Sequence, residues 1–169
     1  NYYIIVMKTD RNSIVIKGGQ KNRLFKIRLT LAIAAGKLLT NLSRIGGRGG
    51  TTLPGRIALK INPPIITDLA KQLPKGNLIV TGTNGKTTTS ALLTGILKES
   101  GYSCLHNQSG SNMAWGVSSA YIHEARWNGE ISHDCAILEV DEGSFPGVVN
   151  SVQPDVVVLT NIFRDQLDR

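Results

Sequence analysis

The sequence predicts an α/β protein with a P-loop and a mostly parallel, doubly wound sheet, preceded by a basic helical N-terminal segment. Three observations predict it. After Gly76, short runs rich in Val, Ile and Leu alternate with helical stretches, the rhythm of βα units. Those runs show little polar alternation, as expected of strands covered on both faces. Between the first run and the helix that follows lies Thr81-Gly82-Thr83-Asn84-Gly85-Lys86-Thr87-Thr88, where a phosphate-binding loop belongs.

In chain order, residues 1–23 read as a poorly defined leader whose first seven are apolar, with Met7 a candidate start. Residues 24–75 form a basic N-terminal module. From Leu24 to Ile45 the apolar residues Leu24, Ile27, Leu31, Leu38, Leu42 and Ile45 recur at spacings of three, four and seven, which predicts a helix. Gly46, Gly47, Gly49 and Gly50 break it, and Pro54-Gly55 reads as a turn within Thr51 to Ile61. Pro63 and Pro64 open a short helix carrying Leu69, Ala70 and Leu73 that ends before Pro74.

Residues 76–169 form the α/β domain. Strands are predicted over Asn77 to Thr81, Tyr102 to Leu105, Cys135 to Val140 and Val156 to Thr160. Helices are predicted over Thr87 to Ser100, Ala114 to Arg126 and Ser144 to Val152. No element closes the sheet after the loop that ends at Arg169, so the domain is expected to be truncated at its C-terminal side.

Composition excludes several classes. The 169 residues are 41% hydrophobic and 5% aromatic, with 19 Lys and Arg against 12 Asp and Glu, which fits neither a collagenous, a coiled-coil nor a largely disordered chain. Charge is unevenly placed: the first sixty residues carry twelve basic side chains against Asp10 alone, the remainder seven against eleven acidic ones. That asymmetry turns the first third toward something anionic. The longest apolar stretch, Leu29 to Leu39, is interrupted by Thr30, Gly36 and Lys37 and falls short of the ~20 residues a membrane span needs. Nor is a targeting peptide read, since no cleavage site follows that stretch. Cys104 and Cys135 lack any CxxC pairing and read as buried small hydrophobes in a reducing cytoplasm. His106, His123 and His133 share no metal-ligand spacing, and Trp115 and Trp127 read as packing residues.

The chemistry concentrates in three blocks. In the loop, Gly82 and Gly85 let the backbone turn so that its amides and the helix N-terminus face an anion. Lys86 then reaches the β and γ phosphates of a nucleotide, and Thr87 supplies a hydroxyl to magnesium. The pattern departs from G-x-x-x-x-G-K-[ST] in one respect, Val80 standing where the first glycine would be. The second block is Leu138-Glu139-Val140-Asp141-Glu142 at a strand's carboxyl end, the side of an open sheet where ligands collect. Glu139 is a candidate Mg²⁺ ligand, since hard cations prefer carboxylate oxygen. The third is Thr160-Asn161-Ile162-Phe163-Arg164-Asp165-Gln166-Leu167-Asp168-Arg169, in which Asn161 and Asp165 suit a nucleotide rim, although Asp165 and Asp168 equally suit the start of a helix. The polar loop His106 to Asn112 is a further candidate cleft lining.

Together these blocks resemble the Mur ligase family, whose version of the phosphate loop reads TGTNGKTT and lacks the first glycine. A glutamate after the third strand and the T-N-x-x-x-D-[HQ]-L-D-R block match in order and spacing. A narrower resemblance within the family rests on the basic leader, Gly49 to Arg56, His106 to Asn112, Leu138 to Glu142 and Phe163 to Arg169.

The resemblance implies ATP and Mg²⁺ as cofactors, with Gly82, Thr83, Asn84, Gly85, Lys86, Thr87, Thr88, Asn161 and Asp165 binding nucleotide, Thr87 and Glu139 holding the metal, and Lys86 and Glu139 acting in catalysis. It implies amidation of the α-carboxyl of D-glutamate in the lipid II stem peptide through an acyl phosphate, with ammonia from a glutaminase subunit of the GatD type. Gln166 stands where many family members carry a metal-linked His and receives no metal role. A four-cysteine zinc ribbon and a C-terminal catalytic domain are expected only downstream, so this chain alone is expected not to turn over. Two other readings stand beside it: a family ligase adding an amino acid to a UDP-MurNAc-peptide or to folate, and a nucleotide-binding fragment without catalysis. The basic leader reads either as a solvated helix covering the domain edge or as a contact with the anionic inner membrane face. Nucleic acid is not an expected partner, because no recognition motif accompanies the charge.

Overall fold

The computed structural model of the chain describes residues 5–8, 23–45, 52–107 and 112–162. It comprises β1 (Ile5–Lys8), α1 (Arg23–Ile45), α2 (Leu53–Ile61), α3 (Ile65–Ala70), β2 (Asn77–Thr81), α4 (Lys86–Glu99), β3 (Cys104–His106), α5 (Ala114–Glu124), β4 (Cys135–Glu139), α6 (Phe145–Val152) and β5 (Val156–Leu159). The sheet runs β1-β5-β2-β4-β3, with β5, β2, β4 and β3 mutually parallel and β1 antiparallel on the edge. The mostly parallel α/β architecture expected from the sequence is therefore present.

Strand composition explains the layering. Along β2 and β4 successive side chains alternate between two apolar clusters, because successive residues of a strand point to opposite faces. Ile79, Ala136 and Leu138 belong to a large core with Ile33, Leu69, Tyr121 and Val148 from the helices. Val80, Ile137 and Val158 face a smaller cluster completed by Leu93 and Leu97 of α4. Thus α1, α2, α3, α5 and α6 cover one face and α4 the other. The division drawn on sequence at residue 75/76 marks a change of rhythm, but helices before it and strands after it bury side chains in one common core.

Hydrogen bonds inside this core fix the start of the central strand. Asn77 is 3% exposed. Its backbone amide donates to Asp155 Oδ2 at 2.8 Å, its side-chain amide donates to Ala70 O at 3.1 Å, and its Oδ1 accepts from Tyr121 OH at 2.6 Å. One residue thereby ties β2 to α3, α5 and the β5 turn, and a buried amide without such partners would cost about 1–3 kcal/mol. On α4, Ser90 and Thr94 face the sheet and return their hydroxyls to Thr87 O and Ser90 O at 3.1 and 2.7 Å, the local bonding that lets small polar side chains stay buried in a helix.

Two segments differ from expectation. Ile5–Lys8, placed in the leader on sequence, pairs with Val156–Leu159 in the register Ile5↔Leu159 to Lys8↔Val156. Pro54-Gly55, read as a turn, occupies the first turn of α2. Proline suits that position because its missing N–H has no helical partner there. Gly55 is required by its neighbour, since a Cβ would stand 1.9 Å from Trp115 O and 2.7 Å from Ser119 N on α5.

Cys104 and Cys135 lie opposite each other on β3 and β4, buried, with their sulfurs 3.1 Å apart and both thiols free. Burial, and then the hydrogen bond with Cys104, push the Cys135 thiol up to about 12. At neutral pH it holds almost no thiolate, the nucleophilic form. We expect iodoacetamide at pH 7.5 to leave both cysteines unmodified in the native protein and to label both in denaturant, read by intact mass. Native labelling within minutes would contradict the burial.

Candidate functional site

The loop between β2 and α4 closes over the carboxyl edge of the sheet. Gly82 has φ +129 and Gly85, the residue before α4, has φ +84, values in the region that favours glycine. A Cβ at Gly85 would meet nothing within 4 Å, whereas one at Gly82 would stand 2.3 Å from Thr160 Oγ1 and 2.6 Å from Asn161 O. The loop is thus pinned on one side and open on the other. Helical bonding in α4 begins with Thr89 N to Gly85 O at 2.9 Å, so the amides of Lys86, Thr87 and Thr88 precede the helical ladder. Unpaired amides at a helix start attract anions.

What pins the loop is the segment after β5. Thr83 N donates to Asn161 O at 2.9 Å and Asn84 N to Asn161 Oδ1 at 3.0 Å, while Asn161 Nδ2 and Thr160 Oγ1 donate to Asn84 O at 3.0 and 2.7 Å. Asn161, expected on sequence to touch nucleotide, spends its amide on shaping the loop. Sequence reasoning does not single out Thr160, although it stands in the Thr160-Asn161 pair that carries the signal.

Lys86 is buried to 11% side-chain exposure. Its ammonium donates to Gly82 O and to Thr83 O, and it lies 3.6 Å from Glu142 Oε2. Thr87 and Thr88 follow on the first turn of α4.

Glu139 stands on the adjacent strand, in register with Val80, one residue short of the loop. It is 4% exposed, and its Oε2 has no hydrogen-bond partner among the described residues. Asn107, fully buried at the end of β3, clamps the Glu139 backbone: it donates to Glu139 O at 2.8 Å and accepts from Glu139 N at 2.7 Å. An unpaired buried carboxylate oxygen is costly unless a cation meets it. A carboxylate and a hydroxyl are also the donors a hard cation takes, so Glu139 and Thr87 fit Mg²⁺. Among the described residues no group of three or more His, Cys, Asp or Glu could hold a metal ion. Asn107 lies in the polar loop marked on sequence, but its clamping role has no spacing signature. Asp165 and the rest of its block from Phe163 lie outside the described residues.

Glu142 opens the turn into α6. Burial favours its neutral form, yet its own backbone amide, the charge of Lys86 and the Thr83 hydroxyl outweigh that and hold the carboxyl below the usual range. It is ionised at neutral pH, and the Lys86 pair weakens only as pH falls through that lowered value.

Residues 80–169 match the family described as the Mur ligase middle domain. The chain is 44% identical over 138 residues to the lipid II isoglutaminyl synthase (glutamine-hydrolyzing) subunit MurT of Staphylococcus aureus strain COL, covering 82% of this chain and 30% of that protein. It is 42% identical over 144 residues to the subunit of the same name from Streptococcus pneumoniae strain ATCC BAA-255 / R6, covering 85% and 31%. A UDP-N-acetylmuramoylalanine–D-glutamate ligase of Leuconostoc mesenteroides is 35% identical over 114 residues, covering 66% and 23%. Among solved structures, MurF from Acinetobacter baumannii aligns with a TM-score of 0.46 and 27% identity, covering 59% of this chain and 21% of that one. The chain spans about a third of the length of the two MurT relatives.

Proposed function

The chain belongs to the Mur ligase family, and from that premise we propose that it is the ATP-binding part of a carbon–nitrogen ligase that amidates the α-carboxyl of D-glutamate in the lipid II stem peptide. The observation that carries this reading is the pairing of a pinned phosphate loop, with Lys86 at its centre, and a buried carboxylate with one oxygen left without a hydrogen-bond partner on the neighbouring strand. The narrower choice of substrate is supported by the 42–44% identity to MurT subunits, against 35% to the D-glutamate-adding ligase.

The chemistry follows from what a carboxylate lacks. Its oxygen is a poor leaving group, so amide formation needs activation. A substrate carboxylate oxygen attacks the γ-phosphorus of ATP, the bond to the β-phosphate oxygen breaks and ADP leaves. Ammonia then attacks the carbonyl carbon of the acyl phosphate, loses a proton and expels phosphate. Loop amides and the start of α4 bind the phosphates, and Lys86 sets a positive charge beside the transferring group, where such charge is worth most. Thr87 and Glu139 would hold Mg²⁺, which neutralises phosphate charge when bound. Asn107 keeps Glu139 in place through the backbone. The ammonia source in this reading is a glutaminase partner of the GatD type, and the reaction runs in the cytoplasm at the inner membrane face. Among the described residues no helix is long and apolar enough to cross a membrane, so in this reading these residues contact the membrane only peripherally.

The test uses the full-length protein with a glutaminase partner, lipid II, Mg²⁺, ATP and glutamine labelled with ¹⁵N in its side-chain amide. Mass spectrometry is expected to show one ¹⁵N in the stem peptide, and Lys86→Ala is expected to reduce its formation more than 100-fold. Incorporation of a whole amino acid instead would favour the ligase readings that add one. ATP binding with neither product would favour a binding module.

A further inference from the structure

The lysine of the phosphate loop already has an anionic neighbour. Lys86 Nζ lies 3.6 Å from Glu142 Oε2 and also donates to Gly82 O and Thr83 O, with only 11% of its side chain exposed. A nucleotide tail must meet that ammonium, so it arrives at a cation that is occupied. We infer that Glu142 is a positioning residue that holds the Lys86 ammonium while the loop is empty and yields it to the β and γ phosphates, so that this exchange sets affinity for the triphosphate tail. The inference rests on the nucleotide-binding reading above.

Three features support it. The backbone around Glu142 is anchored: Asp141 N donates to Asn112 O at 2.9 Å, Ser144 N to Asp141 O at 3.0 Å and Phe145 N to Glu142 O at 3.3 Å. The point from which the carboxylate reaches Lys86 is therefore fixed by the fold. Both side chains are largely withdrawn from water, at 11% and 28% exposure, and a partly buried pair is screened less by salt than an exposed one. The carboxyl also remains ionised at neutral pH despite its burial. Glu142 stands three residues beyond Glu139 on the turn leaving β4; like Glu139 Oε2, its buried carboxylate oxygens have no hydrogen-bond partner among the described residues, and Lys86 is the cation within ion-pair range of it.

Competition and simple repulsion of phosphate make different predictions, and a double-mutant cycle separates them. Dissociation constants for ATP, ADP and AMP would be measured by calorimetry at fixed pH and salt on the full-length wild type, Glu142→Gln, Lys86→Ala and the double variant. Glu142→Gln is expected to tighten ATP and ADP about tenfold, a coupling within the range seen for contacting residues, to leave AMP within about twofold, and to give no gain in the Lys86→Ala background. Glu142→Asp, which keeps the charge but withdraws it by one methylene, is expected to move ATP the same way by less. In the nucleotide-free protein, the ¹⁵Nζ resonance of Lys86 is expected to shift in Glu142→Gln and not in Glu130→Gln. A gain that survives in Lys86→Ala, unchanged or weaker ATP binding, or an unmoved ¹⁵Nζ resonance would overturn the inference. Wild-type protein that binds no nucleotide would overturn the functional reading and this inference together, whereas tight wild-type binding with a flat cycle removes only the inference.

Discussion

Gly82→Ala is expected to lower ATP affinity more than 100-fold while the protein stays folded. Two costs coincide at this position. The backbone has φ +129, a conformation an alanine adopts only under strain of about 1–3 kcal/mol. The added methyl group would also stand 2.3 Å from Thr160 Oγ1, 2.6 Å from Asn161 O and 2.9 Å from Asn161 N. Those atoms belong to the segment that pins the loop, so relief requires breaking the bonds from Thr83 N and Asn84 N to Asn161. Loop and pin would part, and the amides that should face phosphate would lose their common direction. None of these bonds belongs to the apolar core, so the thermal midpoint should fall by only a few degrees. Gly85→Ala is the internal comparison: its φ is also positive, but nothing stands within 4 Å of the new atom, and its loss of affinity should be about tenfold or less. Calorimetric ATP titration of both variants, with a thermal melt of each, checks the ordering. Equal losses would mean that conformational strain alone, and not the contact with Thr160 and Asn161, governs the loop.

How the sequence can announce this loop and yet miss its pin follows from the range of the interactions. Strand, glycines, lysine and helix start are neighbours in the chain, and local patterns of that kind are legible. The bonds from Asn161 to Asn84 join positions 77 residues apart, and those from Asn107 to Glu139 join positions 32 apart. A single sequence has no register for such pairs. Sequence reasoning therefore names Asn161 without its bonds to the loop, and it reaches Glu142 only as part of a motif, because a carboxylate's partner is a matter of geometry.

The fold divides along the same line. From β2 to β5 every strand and helix is legible, because apolar runs that fill both faces of a parallel sheet differ plainly from the helices between them. At the N-terminal side, Ile5–Lys8 is four residues long and completes the sheet against a strand about 150 positions away. So short an edge strand has no turn or alternation of its own to betray its partner. Pro54-Gly55 misleads for a different reason: both residues mark turns in isolation, and only the backbone of α5 explains why this glycine sits inside a helix.

That explanation makes Gly55→Ala the largest expected stability effect. Its methyl group would fall 1.9 Å from Trp115 O and 2.7 Å from both Ser119 N and Ser119 Oγ. The first two are backbone atoms of a helix that cannot rotate away, unlike the tip of a side chain. Relief therefore demands that α2 and α5 separate, which also breaks the bond from Gly55 N to Ser119 Oγ at 2.9 Å and opens the core around Ala58 and Val117, both fully buried. Helix propensity favours alanine by about 1 kcal/mol, but overpacking against fixed backbone costs several, for a net loss of about 3–4 kcal/mol. For a domain of this size that corresponds to a fall in thermal midpoint of roughly 10 °C. Ser119→Ala, which removes the hydrogen bond without adding bulk, should cost about 1 kcal/mol. Thermal and urea melts of the two variants decide the matter. A Gly55→Ala protein as stable as the wild type would mean that α2 and α5 do not cross as closely as their backbones require.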